Sequence, residues 1–177
     1  MSVFLQPIYT QTVGSGGASS ITFNNIPQTF TDLKIVVSTR MNNASTLGYT
    51  TIRFNGDTAS TLYSYTYLDA NLGGGPSSSR SSGNPWFLNV PGASSTTNTF
   101  SNSEVYIPNY TSSNYKQGIL DTTGENNATS GAWLTEYASL YRSTSPITSI
   151  TLNDLFNSAS FVQYSTFSLY GVLRQGV

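Results

Sequence analysis

Between Thr31 and Asp57 the chain reads TDLKIVVSTRMNNASTLGYTTIRFNGD. Leu33, Ile35 and Val37 alternate with Lys34, Val36 and Ser38, a two-residue period that buries one face of a strand. Asn42, Asn43 and Gly48 interrupt the pattern, and Ile52 and Phe54 resume it around Arg53. Two β-rich runs across an Asn/Ser/Gly connection predict an antiparallel pair. Asn55-Gly56-Asp57 predicts a tight turn next, because Asn and Gly tolerate positive φ. Thr61 to Leu68 continues as a strand. The three runs are expected to form the spine of one sheet.

Composition excludes most alternatives to an all-β chain. Only 8% of the 177 residues are charged, against roughly 25% in soluble domains. Exposed helices carry many Glu, Lys and Ala, whereas Ser, Thr, Asn, Gly and Tyr supply this surface. Disordered chains lack aromatic residues; this one holds 12 Tyr, 9 Phe and 2 Trp. Net charge is −1 with seven basic residues, and no basic cluster offers a nucleic-acid surface. No apolar run approaches the ~20 residues of a membrane span. MSVFLQPIYTQT lacks the positive start and apolar core of a secretory signal. There is no cysteine, hence no disulfide. The sequons at Asn43, Asn109 and Asn127 are expected to stay bare.

Val3 to Val13 reads as an extended arm with Phe4, Ile8 and Tyr9 as its apolar content, and Pro7 argues against a central strand position. Gly14-Ser15-Gly16-Gly17 is a flexible joint. The arm either pairs with a neighbouring subunit or forms an edge strand of its own sheet. Residues 1–19 are thus arm and joint, and 20–177 one sandwich domain. Further strands are expected at Ser20–Phe23, Pro85–Val90, Thr99–Ile107, Tyr115–Thr122, Ile147–Leu152 and Phe161–Val172. Asp69 to Asn84, DANLGGGPSSSRSSGN, reads as a long mobile loop on the outer surface. Gly131 to Arg142 fits helical and strand spacing alike; the strand is preferred because Thr and Tyr are weak helix formers. Leu155 to Ser158 is expected to be a single helical turn. About ten short strands at regular spacing predict an antiparallel β-sandwich, jelly-roll-like, with extra hairpins and an extended N-terminal arm.

Signatures of catalysis are sparse. The chain has no His and no Cys, which removes the commonest general base and the thiol nucleophile. Gly-x-Ser-x-Gly and the phosphate-binding Gly-x-x-x-x-Gly-Lys-Ser/Thr do not occur. A carboxylate pair can hydrolyse a glycoside; the candidates are Asp57, Asp69, Glu104, Asp121, Glu125, Glu136 and Asp154. Asp69-Ala70-Asn71-Leu72-Gly73 faintly resembles the start of a calcium loop, without its third acid or closing Glu. A turn explains it more simply. The expectation is a non-enzymatic protein with no metal and no cofactor.

Tyr63, Tyr65 and Tyr67 share one face of a strand, and Leu62 and Leu68 the other. If the leucines face the core, the tyrosines form an outward stripe, suited to a subunit interface or to stacking on sugars. If a second sheet covers this face, they are internal packing.

Four stretches, ITFNNIPQTFTDLKIVVSTR, IRFNGDTASTLYSY, YIPNYTSSNYKQG and SFVQYSTFSLYGV, resemble a group of tailed-phage virion proteins common in cyanophage-like and marine phage genomes. The similarity spans roughly Ser20 to Val172. Its most characteristic pieces are Ile26-Pro27-Gln28-Thr29, Phe54-Asn55-Gly56-Asp57, Pro108-Asn109-Tyr110 with Tyr115-Lys116, and Leu169-Tyr170-Gly171-Val172. They look like turn and strand-end signatures. The resemblance implies a capsid cement or decoration protein, assembled in the host cytoplasm. It would sit as a homotrimer on the capsid surface, over junctions of the major capsid protein, with no nucleic-acid or membrane partner. Interface candidates are Phe4, Ile8 and Tyr9 in the arm and Tyr63, Tyr65 and Tyr67 in the stripe. Some relatives are tail components, so the alternative is a tail or tail-fibre protein that binds host surface glycans. A cellular carbohydrate-binding module would be expected to carry a signal peptide or a linked catalytic domain.

Overall fold

The computed structural model describes residues 3–71, 74–127 and 131–174. Twelve strands run through these residues: β1 (Val3–Thr12), β2 (Ser20–Phe23), β3 (Asp32–Thr39), β4 (Leu47–Phe54), β5 (Tyr63–Asn71), β6 (Pro76–Ser82), β7 (Trp86–Pro91), β8 (Ser101–Pro108), β9 (Lys116–Gly124), β10 (Trp133–Tyr141), β11 (Ile150–Asp154) and β12 (Thr166–Arg174). They form a wide sheet, β1-β12-β3-β8-β9-β10-β5-β6, and a narrow one, β2-β11-β4-β7, all antiparallel. Eight strands nest as a folded-over hairpin, with β1 on β12, β2 on β11, β3 on β8 and β4 on β7. Split between the two sheets, these pairs make a jelly roll. The hairpins β5–β6 and β9–β10 are inserted into it. They join through the β10–β5 pairing and double the width of one sheet.

The core lies between the sheets. Leu33, Ile35 and Val37 of β3, with Phe167 and Leu169 of β12, share it with Ile52 and Phe54 of β4, Ile150 and Leu152 of β11, and Trp86 of β7, each at most 2% exposed. At roughly 1.5–3 kcal/mol per fully buried large side chain, this layer supplies the main drive to fold.

The three runs expected to share a sheet do not. β3 pairs with β12 and β8 in the wide sheet, whereas β4 pairs with β11 and β7 in the narrow one; β5 returns to the wide sheet. The connection at 40–46 crosses between sheets. It is anchored by the buried Arg40 guanidinium, which donates to the carbonyls of Ala93, Ser95, Thr96 and Thr99. Asn55 and Gly56 do take positive φ, 55° and 71°, but their turn also leads from one sheet to the other.

Two loop expectations are corrected as well. Much of the segment 69–84 is strand: β6 pairs with β5 from Ser64↔Ser82 to Ala70↔Pro76. Leu72 and Gly73 lie outside the described residues. Serine supplies no apolar period, so the strand left no pattern to read. Leu155 to Ser158 is a turn, held by Asp154 Oδ2 accepting from the Ser158 and Ala159 N–H groups. The ambiguous segment at 131–142 is a strand, as preferred. The N-terminal segment is extended and lies as the edge strand of its own sheet, one of the two placements left open. A register shift at Ile8, next to Pro7, lets the ring sit where it breaks no ladder.

The inserted hairpins wrap the edge strand β7. Alternation puts Trp86, Leu88 and Val90 on one face of β7 and Phe87 and Asn89 on the other. The wide sheet meets both faces. Trp86 packs over Gly118 of β9 so closely that a Cβ there would stand 2.6 Å from the indole. On the other face Phe87 lies edge-on to Tyr65 and Tyr137, with centroids 5.1 and 5.2 Å away. Thr122 Oγ1 donates to the Asn89 carbonyl at 3.0 Å. An exposed edge is thereby covered.

One end of the sandwich is tied by residues of the turn and strand-end motifs. Lys116, 1% exposed, donates its ammonium to the carbonyls of Ser112, Ser143 and Ser145. Gln28 donates to Ile26 O and Ile147 O, Tyr110 to Pro27 O, and Asn55 to Pro146 O. Asn55 Oδ1 accepts from Thr148 N. These side chains fasten the 143–149 connection, which forms no ladder of its own.

Two substitutions test this account by urea unfolding. Gly118→Ala should cost about 1–3 kcal/mol by overpacking against Trp86. Lys116→Met, close in volume, should cost about 2–4 kcal/mol by leaving three carbonyls without a cationic donor. An unchanged midpoint in either variant would contradict the corresponding contact.

Candidate functional site

Beyond β7 the wide sheet overhangs the narrow one, and a cleft of about 190 Å³ opens between them. Tyr49 and Phe87 form one wall; Tyr65, Tyr67 and Tyr137 form the other. The rings contact one another: Tyr49 with Phe87 at 5.2 Å, Tyr67 with Tyr137 at 5.6 Å, and Tyr65 with Tyr137 at 5.6 Å. The first and last of these pairs are edge-on and the Tyr67–Tyr137 pair is tilted, contacts that fix ring orientation.

A buried polar chain runs along the floor. The Tyr137 hydroxyl donates to Asn89 Oδ1 at 3.3 Å, Asn89 Nδ2 to Thr135 Oγ1 at 3.0 Å, and Thr135 Oγ1 to Asp69 Oδ1 at 2.6 Å. Asn89 is 6% and Thr135 1% exposed, while Asp69 is half-buried at the mouth. Each bond points its donor toward Asp69, so the chain polarises in one direction and ends on a carboxylate. Asp69 is set opposite Thr135 by the β10–β5 register.

Burial shifts the phenols. Tyr137 is pushed far above the ordinary tyrosine range by burial, and the charges of Tyr65 and Asp69 add to it. Burial also raises Tyr49. Near the other end of β5, burial pushes Tyr63 up to about 12, while its bond from the Phe54 N–H acts the other way. Tyr141 is raised by burial and by donating to Asp57 Oδ2.

The structure divides the interface candidates. Tyr63 is fully buried and Tyr65 8% exposed, so of the two placements left open for the tyrosine run, internal packing holds for these two: the wrapped β7 edge and the core cover this face. Leu68 is the outward residue, at 59%, and Leu62 packs on the core. Tyr67 is half-buried in the cleft wall. In β1, Phe4 is 61% exposed, while Ile8 packs against the core. Tyr9, 37% exposed, stacks on Phe23 and donates to Asn24 O. Leu5 and Leu173, exposed beside Phe4, had no periodic signal to mark them.

The carboxylates scatter in the same way. Asp57 and Asp69 accept from Tyr141 and Thr135, Asp154 from its turn, and Glu125 from the Asn127 N–H. Only Glu104, Asp121 and Glu136 come together, abreast on β8, β9 and β10 on the open outer face. Lys34 pairs with Glu104 at 2.7 Å. Among the described residues no group of three or more His, Cys, Asp or Glu is placed to hold a metal, and no helix is long and apolar enough to cross a membrane. Scans against protein-family models, curated proteins and solved structures return no match to this chain.

The phenol shifts give a pH dependence. A phenol whose folded pKa is raised keeps a proton that the unfolded chain, with tyrosine near pH ~10, gives up. Stability should therefore hold below pH ~10 and fall as pH rises through about 12, where Tyr63 ionises. Urea midpoints measured beside tyrosinate absorbance check this. Full ionisation of all 12 tyrosines before unfolding would contradict it.

Proposed function

We propose that this chain is a non-enzymatic structural protein of a tailed-phage virion, a cement protein that seats as a homotrimer over junctions of the major capsid protein. The observation that carries the reading is the N-terminal edge of the wide sheet. β1 is terminal in that sheet and pairs on one side only, with β12. Phe4, Leu5 and Leu173 are exposed by 61%, 52% and 38% at its end. No side chain before Asp32 is charged. Pro7 and the bulge at Ile8 blunt the middle of this edge, but its first residues carry no charge and, among the described residues, no covering loop. The apolar start of the edge, at Phe4 and Leu5, suits a short pairing with a strand from another subunit, where main-chain hydrogen bonds supply affinity. Three copies would then raise the effective concentration of each weak contact.

Two further features support the reading by analogy. Jelly rolls are recurrent in viral capsid proteins, although a fold alone does not assign a role. The motifs on which the resemblance rests cluster at the tied end of the sandwich, where they serve rigidity.

The test is co-sedimentation of the full chain with phage heads stripped of accessory proteins. Deleting residues 2–13 would uncover β12, so point changes are cleaner. Wild type should bind saturably. Phe4→Ser/Leu5→Ser should keep its unfolding free energy within about 1 kcal/mol, as exposed sites do, and lose head binding. Binding by the double variant at wild-type strength would remove β1 from the interface. Failure of wild type to bind heads, with binding to host cells instead, would move the protein to the tail.

A further inference from the structure

We infer that the cleft beside β7 is a binding site for one neutral pyranose unit, with Asp69 as its polar anchor and the Tyr67 and Phe87 rings as its walls. Three observations lead there. The walls are aromatic on both sides, and an aromatic face packs against the C–H face of a sugar ring. The floor ends in a carboxylate whose position is fixed: Thr135, 1% exposed, holds one oxygen, Asn89 holds Thr135, and Tyr137 holds Asn89. No described residue hydrogen-bonds the other Asp69 oxygen or the hydroxyls of Tyr49 and Tyr67. A carboxylate with phenols around it is the group set that takes neighbouring sugar hydroxyls, because the carboxylate accepts and the phenols both donate and accept.

Size and charge narrow the ligand. At about 190 Å³ the cleft is below the ~300–1,000 Å³ of sites for larger ligands, so it takes a single ring. No Lys or Arg lines it, which leaves a phosphate without a counter-charge. One carboxylate in a part-buried site repels an acidic sugar. A cation would need several oxygen ligands, and among the described residues Asp69 is the only carboxylate lining the cleft. The site is independent of the β1 edge, which belongs to a different pair of strands.

The experiment is a titration of the ¹⁵N-labelled full chain, followed by NMR. The probes are the methyl glycosides of glucose, mannose, galactose and N-acetylglucosamine, the corresponding free sugars, and methyl glucuronoside. At least one neutral sugar should shift the Asn89 side-chain amide saturably, with a dissociation constant of about 1 mM. Asp69→Asn and Tyr67→Ala should each weaken binding by about tenfold or more. Leu68→Ser, on the opposite face of β5, should leave it unchanged. Binding of the glycosides marks the natural source as the end of a glycan chain. Binding of free sugars alone marks a soluble sugar; both support the site. The inference is overturned if no neutral sugar moves the Asn89 amide, if glucuronoside binds as well as the neutral sugars, or if Asp69→Asn binds like wild type. Head binding by Asp69→Asn should be unaffected, so either reading can fail alone.

Discussion

The contact between Gly118 and Trp86 sets the shape of everything outside the eight nested strands. β9 passes over the indole at a distance no side chain allows. Because it does, β10 and β5 follow it around the edge of the narrow sheet. That passage turns Tyr65 and Tyr137 onto Phe87 and brings Thr135 within reach of Asn89. The cleft, the polar floor and the shielded β7 edge are consequences of one close approach. A jelly roll without the two inserted hairpins would leave β7 open, with an edge free to pair.

The scarcity of charge has a structural counterpart. Two of the seven basic residues, Arg40 and Lys116, are interior and serve loop carbonyls. A cation that satisfies three or four carbonyls does the work of a ladder where the chain has none. Asp57, Asp69 and Asp154 likewise bond to neighbouring groups. Little charge remains to spread over the surface, and Ser, Thr and Asn cover it. The surface is therefore polar and carries a weak net field.

The two-residue period made the strands legible because it is local. β8 and β10 alternate between buried and exposed positions, and β3 between buried and half-buried ones. Partnership was harder to read. β3 and β4 are neighbours in sequence but belong to different sheets, since pairing depends on contacts distant along the chain. The tyrosine stripe shows the same limit. Alternation placed Tyr63, Tyr65 and Tyr67 on one face, but which face was inward depended on the wrap around β7. β6, almost all serine, has no period to detect. Asp69 was visible as a polar residue in a turn-like sequence; its role beside Thr135 follows only from the β10–β5 register. The motifs around Asn55, Tyr110 and Lys116 pointed to turns and strand ends, and these residues do fasten such places.

In the proposed account a sandwich attaches by the apolar start of its β1 edge and keeps a small aromatic cleft beside β5, toward the other end of the wide sheet. Cryo-electron microscopy of virions from a phage encoding the chain tests it most directly. The account predicts density for the twelve-stranded sandwich on the head, in threefold clusters at capsomer junctions, with β1 against a neighbouring subunit. Density confined to the tail, or head density with β1 facing solvent, would contradict it.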